Sequence, residues 1–177
     1  MKKLIKRREI PGGNPVSDNA LLDRLYRSRH IKNSQELDRT LQSMLNPNQL
    51  HGIQQAVDLL VDAYQQQQKI VIVGDFDADG ATSTALSVLA LRMLGFTDVE
   101  YLVPNRFEQG YGLSVPVAEM AMEKGVQLLM TVDNGVSSFE GVAYLKEQGV
   151  KVLITDHHLP PEILPNADAI VNPNLPQ

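Results

Sequence analysis

The chain has 177 residues, 43% of them hydrophobic, with a formal net charge of −5. That length suits one domain with an extension, the apolar content supplies a core, and no stretch approaches the ~20 apolar residues of a membrane-spanning helix. There are no cysteines, which excludes disulfides and thiolate metal sites, and the acidic balance gives nucleic acid no overall attraction.

Residues 1–16 open with Met1-Lys-Lys-Leu-Ile-Lys-Arg-Arg8, basic but without the apolar core and cleavage site of a secretory signal. Pro11-Gly-Gly-Asn-Pro15 follows as turn chemistry. A basic arm can touch phosphates, but a solvated, mobile terminus is the preferred reading. Residues 17–68 read as a helical arm of three helices. Ser17 or Asp18 caps the first, with Leu21, Leu22 and Leu25. Asn33 or Ser34 caps the second, with Leu37, Leu41, Met44 and Leu45 on one face, stopped by Asn46-Pro47. The third spans about 48–67, where Ile53, Ala56, Val57, Leu60, Ala63 and Tyr64 keep helical spacing. No chemistry is evident in the arm, and His30 and His51 read as ordinary surface or helix histidines.

From Lys69 the rhythm becomes strand, helix, strand, helix. Strands are predicted at 70–74, 99–103, 127–132, 150–155 and 168–171, and helices at 81–94, 114–124 and 138–148, with a turn near 161–164. Such alternation predicts an α/β fold over 69–177, a mostly parallel sheet with helices on both faces. The first strand, Ile70-Val-Ile-Val73, runs into Gly74 and then Asp75, Asp77 and Asp79, followed by Gly80. Three carboxylates this close repel one another when ionised, and a divalent cation removes that cost. An EF-hand loop starting at Asp75 would need a Glu where Leu86 stands, and the Walker and dinucleotide glycine patterns are absent.

The other strands deliver polar residues at the same edge. After the second come Pro104-Asn105-Arg106 and Gly110-Tyr-Gly-Leu-Ser114. After the third comes Asp133-Asn-Gly135, and after the fourth Asp156-His157-His158. Alone, Asp133-Asn-Gly is a turn, Asp156-His-His an N-cap with surface histidines, and Arg106 a solvated arginine. Together, aspartates and a histidine pair on the carboxyl edge of a parallel sheet are what a two-metal hydrolytic site requires. Mixed imidazole and carboxylate ligation leans towards Mn²⁺.

These four motifs, Val73-Gly-Asp-Phe-Asp-Ala-Asp-Gly80, Pro104-Asn-Arg106 with Gly110-Tyr-Gly-Leu-Ser114, Thr131-Val-Asp-Asn-Gly135 and Asp156-His-His158, closely resemble those of the DHH phosphoesterases. Within that family the resemblance is to the bacterial single-strand-specific 5′→3′ DNA exonucleases, and it covers most of the chain. It implies two Mn²⁺ or Mg²⁺ ions and phosphodiester hydrolysis without a covalent intermediate, in DNA repair and recombination. By position it makes Asp75, Asp77, Asp79, Asp133 and His157 metal ligands, with Asp133 bridging. His158 falls near the scissile phosphate, Asp156 orients its neighbours, and Asn105, Arg106 and His158 hold substrate. It further implies a cytoplasmic setting, single-stranded DNA as ligand, and a single-strand-binding protein or helicase as partner. The family also uses a later aspartate and a C-terminal domain, and Asp168 comes too early to be that aspartate. The expectation is therefore an N-terminal piece carrying most of one metal cluster, inactive by itself. Alternatives are a short-oligonucleotide or cyclic-dinucleotide phosphodiesterase, an inactive scaffold of the same fold, and a dehalogenase-type phosphatase. The last leaves Asp133 and the histidine pair unexplained.

Overall fold

The computed structural model describes Lys6 and residues 8–175, so residues 1–5 and Arg7 of the expected basic arm and Pro176–Gln177 lie outside the described residues. Contacts divide the chain into Met1–Leu45 and Asn46–Gln177.

In the first unit, α1 spans Ala20–Arg27. Asn19, rather than Ser17 or Asp18, caps it, its Oδ1 accepting the N–H groups of Leu21 (3.0 Å) and Leu22 (3.1 Å). The second expected helix does not form. Ser34–Leu37 and Leu41–Ser43 are separate 3₁₀ turns, with Leu41, Met44 and Leu45 exposed. Local side chains satisfy the backbone instead: Asp38 Oδ1 accepts the Thr40 N–H at 2.9 Å, and the Ser43 hydroxyl donates to the carbonyls of Asp38 and Thr40. Such bonds compete with a helix wherever its apolar stripe is left unburied.

In the second unit, a 3₁₀ turn at Pro47–Gln49 precedes α2, Ile53–Gln65. Gly52, at φ +75°, stands outside helical space and sets the later start. Ala56 and Ala63 of α2 are buried in the core, so this third helix packs with the sheet, and the contact boundary cuts the expected 17–68 arm.

Five strands form one parallel sheet: β1 Ile70–Gly74, β2 Val99–Leu102, β3 Leu128–Val132, β4 Lys151–Thr155 and β5 Ala169–Val171, in the order β2-β1-β3-β4-β5. α3 (Ala78–Met93), the single turn α4 (Arg106–Gln109), α5 (Val115–Glu123) and α6 (Phe139–Glu147) fill the connections. The expected turn near 161–164 is a bend at Glu162 and Ile163, in the irregular chain through which β4 returns to β5.

Every residue of β1 is buried. Strand alternation sends Ile70 and Ile72 into a core with Val88 and Leu91 of α3 and the alanines of α2. Val71 and Val73 enter the opposite core, with Val117 and Ala121 of α5 and Val142 and Leu145 of α6. Each fully buried Val or Ile contributes roughly 1.5–3 kcal/mol, which holds β1 inside the sheet, between β2 and β3. Among the described residues, no helix is long and apolar enough to cross a membrane.

The register then places the site. Gly74 is paired with Val132, Val132 with Thr155, and Thr155 with Val171. The next residues along the chain, Asp75, Asp133, Asp156 and Asn172, therefore emerge side by side at the carboxyl edge. The sheet pattern runs one step past the strands: the Asp133 N–H donates to the Thr155 carbonyl and the Asp156 N–H to that of Val171, both at 3.1 Å.

Candidate metal centre

β1 hands the chain to α3 through Asp75-Phe-Asp77. Asp75 is buried; its Oδ1 accepts the Phe76 N–H at 2.7 Å and its Oδ2 accepts Nη2 of Arg106 at 2.8 Å. Asp77 caps α3, Oδ1 accepting the Gly80 N–H at 3.1 Å, while its Oδ2 lies 3.9 Å from Arg106 Nη2. α3 thus begins at Ala78, three residues before the predicted start, and Asp79 sits in its first turn with the carboxylate exposed. The positive end of the helix favours carboxylates there. Gly80 is required by close approach: a Cβ would overlap the backbone carbonyl of Asp75.

From β3, Asp133 takes the left-handed conformation at φ 63°, which Asp tolerates better than most residues and which costs on the order of 1 kcal/mol. It is buried, and its Oδ1 lies 2.8 Å from His157 Nε2. His157 Nε2 is also 3.7 Å from Asp79 Oδ2, so the imidazole spans the ends of β1 and β3. Burial pushes the Asp133 carboxyl above the ordinary carboxylate range; His157 pulls it down, and the charges of Asp79 and Asp77 push it up again.

Asp156 serves the loop that carries the histidines. Oδ1 accepts the N–H groups of His157 (2.7 Å) and His158 (3.0 Å) and faces His158 Nδ1 at 2.7 Å; Oδ2 accepts the Val136 N–H at 2.9 Å. Burial raises this carboxyl, but the backbone donors and His158 outweigh it, and its pKa is lowered overall. The same bond raises that of His158 above the usual histidine value.

Oxygen and imidazole nitrogen atoms of Asp133, His157 and His158 lie within 4.8 Å of one another, and so do oxygens of Asp75, Asp77 and Asp133. Two three-residue groups sharing the buried Asp133 suit a pair of divalent ions. The upward push on that carboxyl from its acidic neighbours is the repulsion that a cation relieves. The residues fit Mn²⁺ or Mg²⁺.

The remaining expected residues divide. Arg106 reaches the site, but as the partner of Asp75, stacked 3.9 Å over the Phe76 ring. Asn105 caps α4, its Oδ1 accepting the Phe107 N–H at 3.1 Å, and among the described residues it makes no hydrogen bond to the carboxylates. Asp168 stands at the opposite edge, before β5, held by Lys146 (2.6 Å) and Lys151 (3.2 Å).

Two residues inside the quoted motifs matter in ways that spacing did not show. Tyr111 places its hydroxyl 3.5 Å from His158 Nε2 and its ring 5.0 Å from the Arg106 guanidinium. Burial, followed by the charges of Asp75, Asp156 and Asp133, pushes its pKa up to about 12, so the phenol keeps its proton. Asn134, fully buried, donates through Nδ2 to the carbonyls of Val73 (3.0 Å) and Val132 (2.9 Å), tying the ends of β1 and β3 together. A buried amide next to a strand end was the available signal.

Against known proteins, residues 69–177 match the DHH family, N-terminal domain. The chain is 84% identical over all 177 residues to the single-stranded-DNA-specific exonuclease RecJ of Haemophilus influenzae, covering 31% of that protein. It is 52% identical over 173 residues to RecJ of Escherichia coli, covering 97% of this chain and 30% of the relative. The chain therefore spans about a third of the length of these relatives. Among solved structures, exonuclease RecJ bound to manganese superimposes with a TM-score of 0.68 and 38% identity, over 75% of this chain and 34% of that one. RecJ of Thermus thermophilus in complex with Mn²⁺ gives 0.63 and 34%, over 84% and 20%. With an all-parallel sheet, its acids and histidines at the carboxyl edge, and a family match over more than half its length, the chain belongs to the DHH family.

Proposed function

We propose that this chain provides the metal-binding part of a single-stranded-DNA exonuclease that hydrolyses phosphodiester bonds with two divalent ions, Mn²⁺ or Mg²⁺. The observation that carries the reading is the buried Asp133, whose carboxylate is grouped with those of Asp75 and Asp77 and also lies 2.8 Å from His157 Nε2. Asp75, Asp77, Asp79, Asp133 and His157 would hold the ions. Divalent ions in such a centre supply Lewis-acid stabilisation of phosphoryl charge and make water nucleophilic at neutral pH.

The chain's own groups position and donate. Asp156 holds His158 by Nδ1, leaving Nε2 to face outward beside the Tyr111 hydroxyl. With its pKa raised, the imidazole is cationic over a wider pH range and can donate to a phosphate oxygen. Arg106 spends one N–H on Asp75 and keeps further donors for phosphate, its plane fixed by Phe76 and Tyr111. Single-stranded DNA as substrate, delivery by a single-strand-binding protein or helicase, and a cytoplasmic setting go with the same reading.

The test is digestion of 5′-labelled oligonucleotides with Mn²⁺ by the whole exonuclease that carries this chain, the chain by itself being expected to be inactive. Release of mononucleotides from the 5′ end of a single strand, lost in Asp133→Ala, is expected. Cleavage confined to dinucleotides would instead favour the short-oligonucleotide phosphodiesterase.

A further inference from the structure

The first unit carries a feature that the metal centre does not use. Residues 1–45 contain ten lysines and arginines against five acids, a net charge of +5, whereas residues 46–177 contain six against sixteen, a net −10. The overall charge of −5 hides this division. Basic charge gathered in one unit is the electrostatic footprint of a polyanion site.

Within that unit the positive charge meets a concavity. A cavity of about 260 Å³ is lined by Pro11, Gly12, Gly13, Asn14 and, across from them, Arg27, His30, Ile31 and Lys32. Arg27 is fixed at its wall: Nη1 lies 3.4 Å from Asp23 Oδ2, and Nη2 donates to the Pro11 carbonyl. That bond pins the Pro-Gly-Gly turn against the end of α1. Asp23 is further occupied by the Val16 N–H at 2.7 Å. Glu36, another acid of the unit, has one oxygen bound by the Lys32 N–H and the Asn33 amide, both at 3.0 Å. The Lys32 ammonium makes no ion pair among the described residues. His30 is carried at φ 65°, a left-handed conformation that turns the chain back at the end of α1.

We infer that the cavity between the Pro11–Asn14 turn and Arg27, His30 and Lys32 binds a backbone phosphate of a nucleic-acid strand. Lys32 and His30 supply the donors, Arg27 orders the turn and adds positive potential, and Gly12 and Gly13 keep that wall free of side chains. The inference rests on the proposed function only for the identity of the polyanion. Cavity and charge are independent of the metal cluster.

The experiment titrates the protein into a fluorescent oligothymidylate lacking terminal phosphates, in EDTA, at several salt concentrations. Without metal the carboxylate edge contributes no attraction, so failure of the metal reading would leave this measurement intact. Lys32→Gln should weaken binding about three- to tenfold at low salt and reduce the log–log salt slope by about 0.7, the counterion release of one single-strand phosphate contact. Lys32→Arg should restore both. His30→Asn, which keeps a residue tolerant of positive φ, should weaken binding without unfolding the unit, as circular dichroism would verify. Lys151→Gln, in the second unit, should leave affinity unchanged. A Lys32→Gln/His30→Asn double variant with wild-type affinity and slope would overturn the inference. So would broadening of the phosphorus resonance of inorganic phosphate with no binding of the oligonucleotide, which would make the cavity a free-phosphate site.

Discussion

Replacing Asp156 by Asn removes one charge and exchanges one acceptor for a donor, in a buried position where all four contacts come from N–H groups. The best rotamer keeps the amide oxygen on His157 and His158 and turns the NH₂ towards the Val136 N–H. One charge-assisted bond, worth about 1.5–3 kcal/mol, is lost, and two donors then face each other with no acceptor. A total near 3 kcal/mol follows. With a urea slope of about 2 kcal/mol per molar, the unfolding midpoint should fall by roughly 1.5 M. Mn²⁺ affinity should fall as well, by about 10–100-fold, because Asp156 aims His157 without standing among the grouped ligands. A midpoint shift below about 0.3 M would refute the reasoning, and so would an unaltered Mn²⁺ affinity.

Gly80→Ala should destabilise by about 1–3 kcal/mol in thermal melts, because overlap with the Asp75 carbonyl outweighs the ~1 kcal/mol gain in helix propensity. Asp168→Asn should cost about 1–3 kcal/mol at neutral pH, since the carboxylate also accepts the Val152 N–H at 2.8 Å. Burial raises the Asp168 carboxyl, but Lys146, the Val152 N–H and Lys151 outweigh it and lower its pKa in the folded chain. That stabilisation is complete above the ordinary carboxylate pKa near 4 and is lost as pH falls through the lower folded value. Denaturation curves of wild type and variant should therefore converge in acid. In the whole exonuclease that carries this chain, His158→Ala should reduce kcat at least 100-fold, about 2.7 kcal/mol, while leaving Mn²⁺ affinity within a few-fold. Parallel loss of metal binding would make His158 a ligand.

The sheet was legible because β-branched runs such as Ile70-Val-Ile-Val73 have one stable home, a strand buried on both faces. The strand ends then located Asp75, Asp133 and Asp156 by simple succession. Helix periodicity was less trustworthy in the first unit. Leu37, Leu41, Met44 and Leu45 keep helical spacing, yet the last three stay exposed, and Asn33 and Asp38 capture the local backbone. α3 starts three residues earlier than the predicted 81 because Asp77, besides standing among the carboxylates, caps the helix through the Gly80 N–H. What spacing did not convey was division of labour: Arg106 on Asp75, Asn134 joining β1 to β3, and Tyr111 beside His158 are tertiary facts. His30, read as an ordinary histidine, gained significance only when the turn at Gly12 and Gly13 was seen folded against it.

The central claim is that Asp133 holds two groups of ligand atoms around one metal pair, and calorimetric titration with Mn²⁺ tests it most directly. Wild-type protein should bind Mn²⁺, and Asp133→Ala should lose at least tenfold in affinity, about 1.4 kcal/mol, while keeping its fold. Wild-type affinity retained in Asp133→Ala would contradict the account.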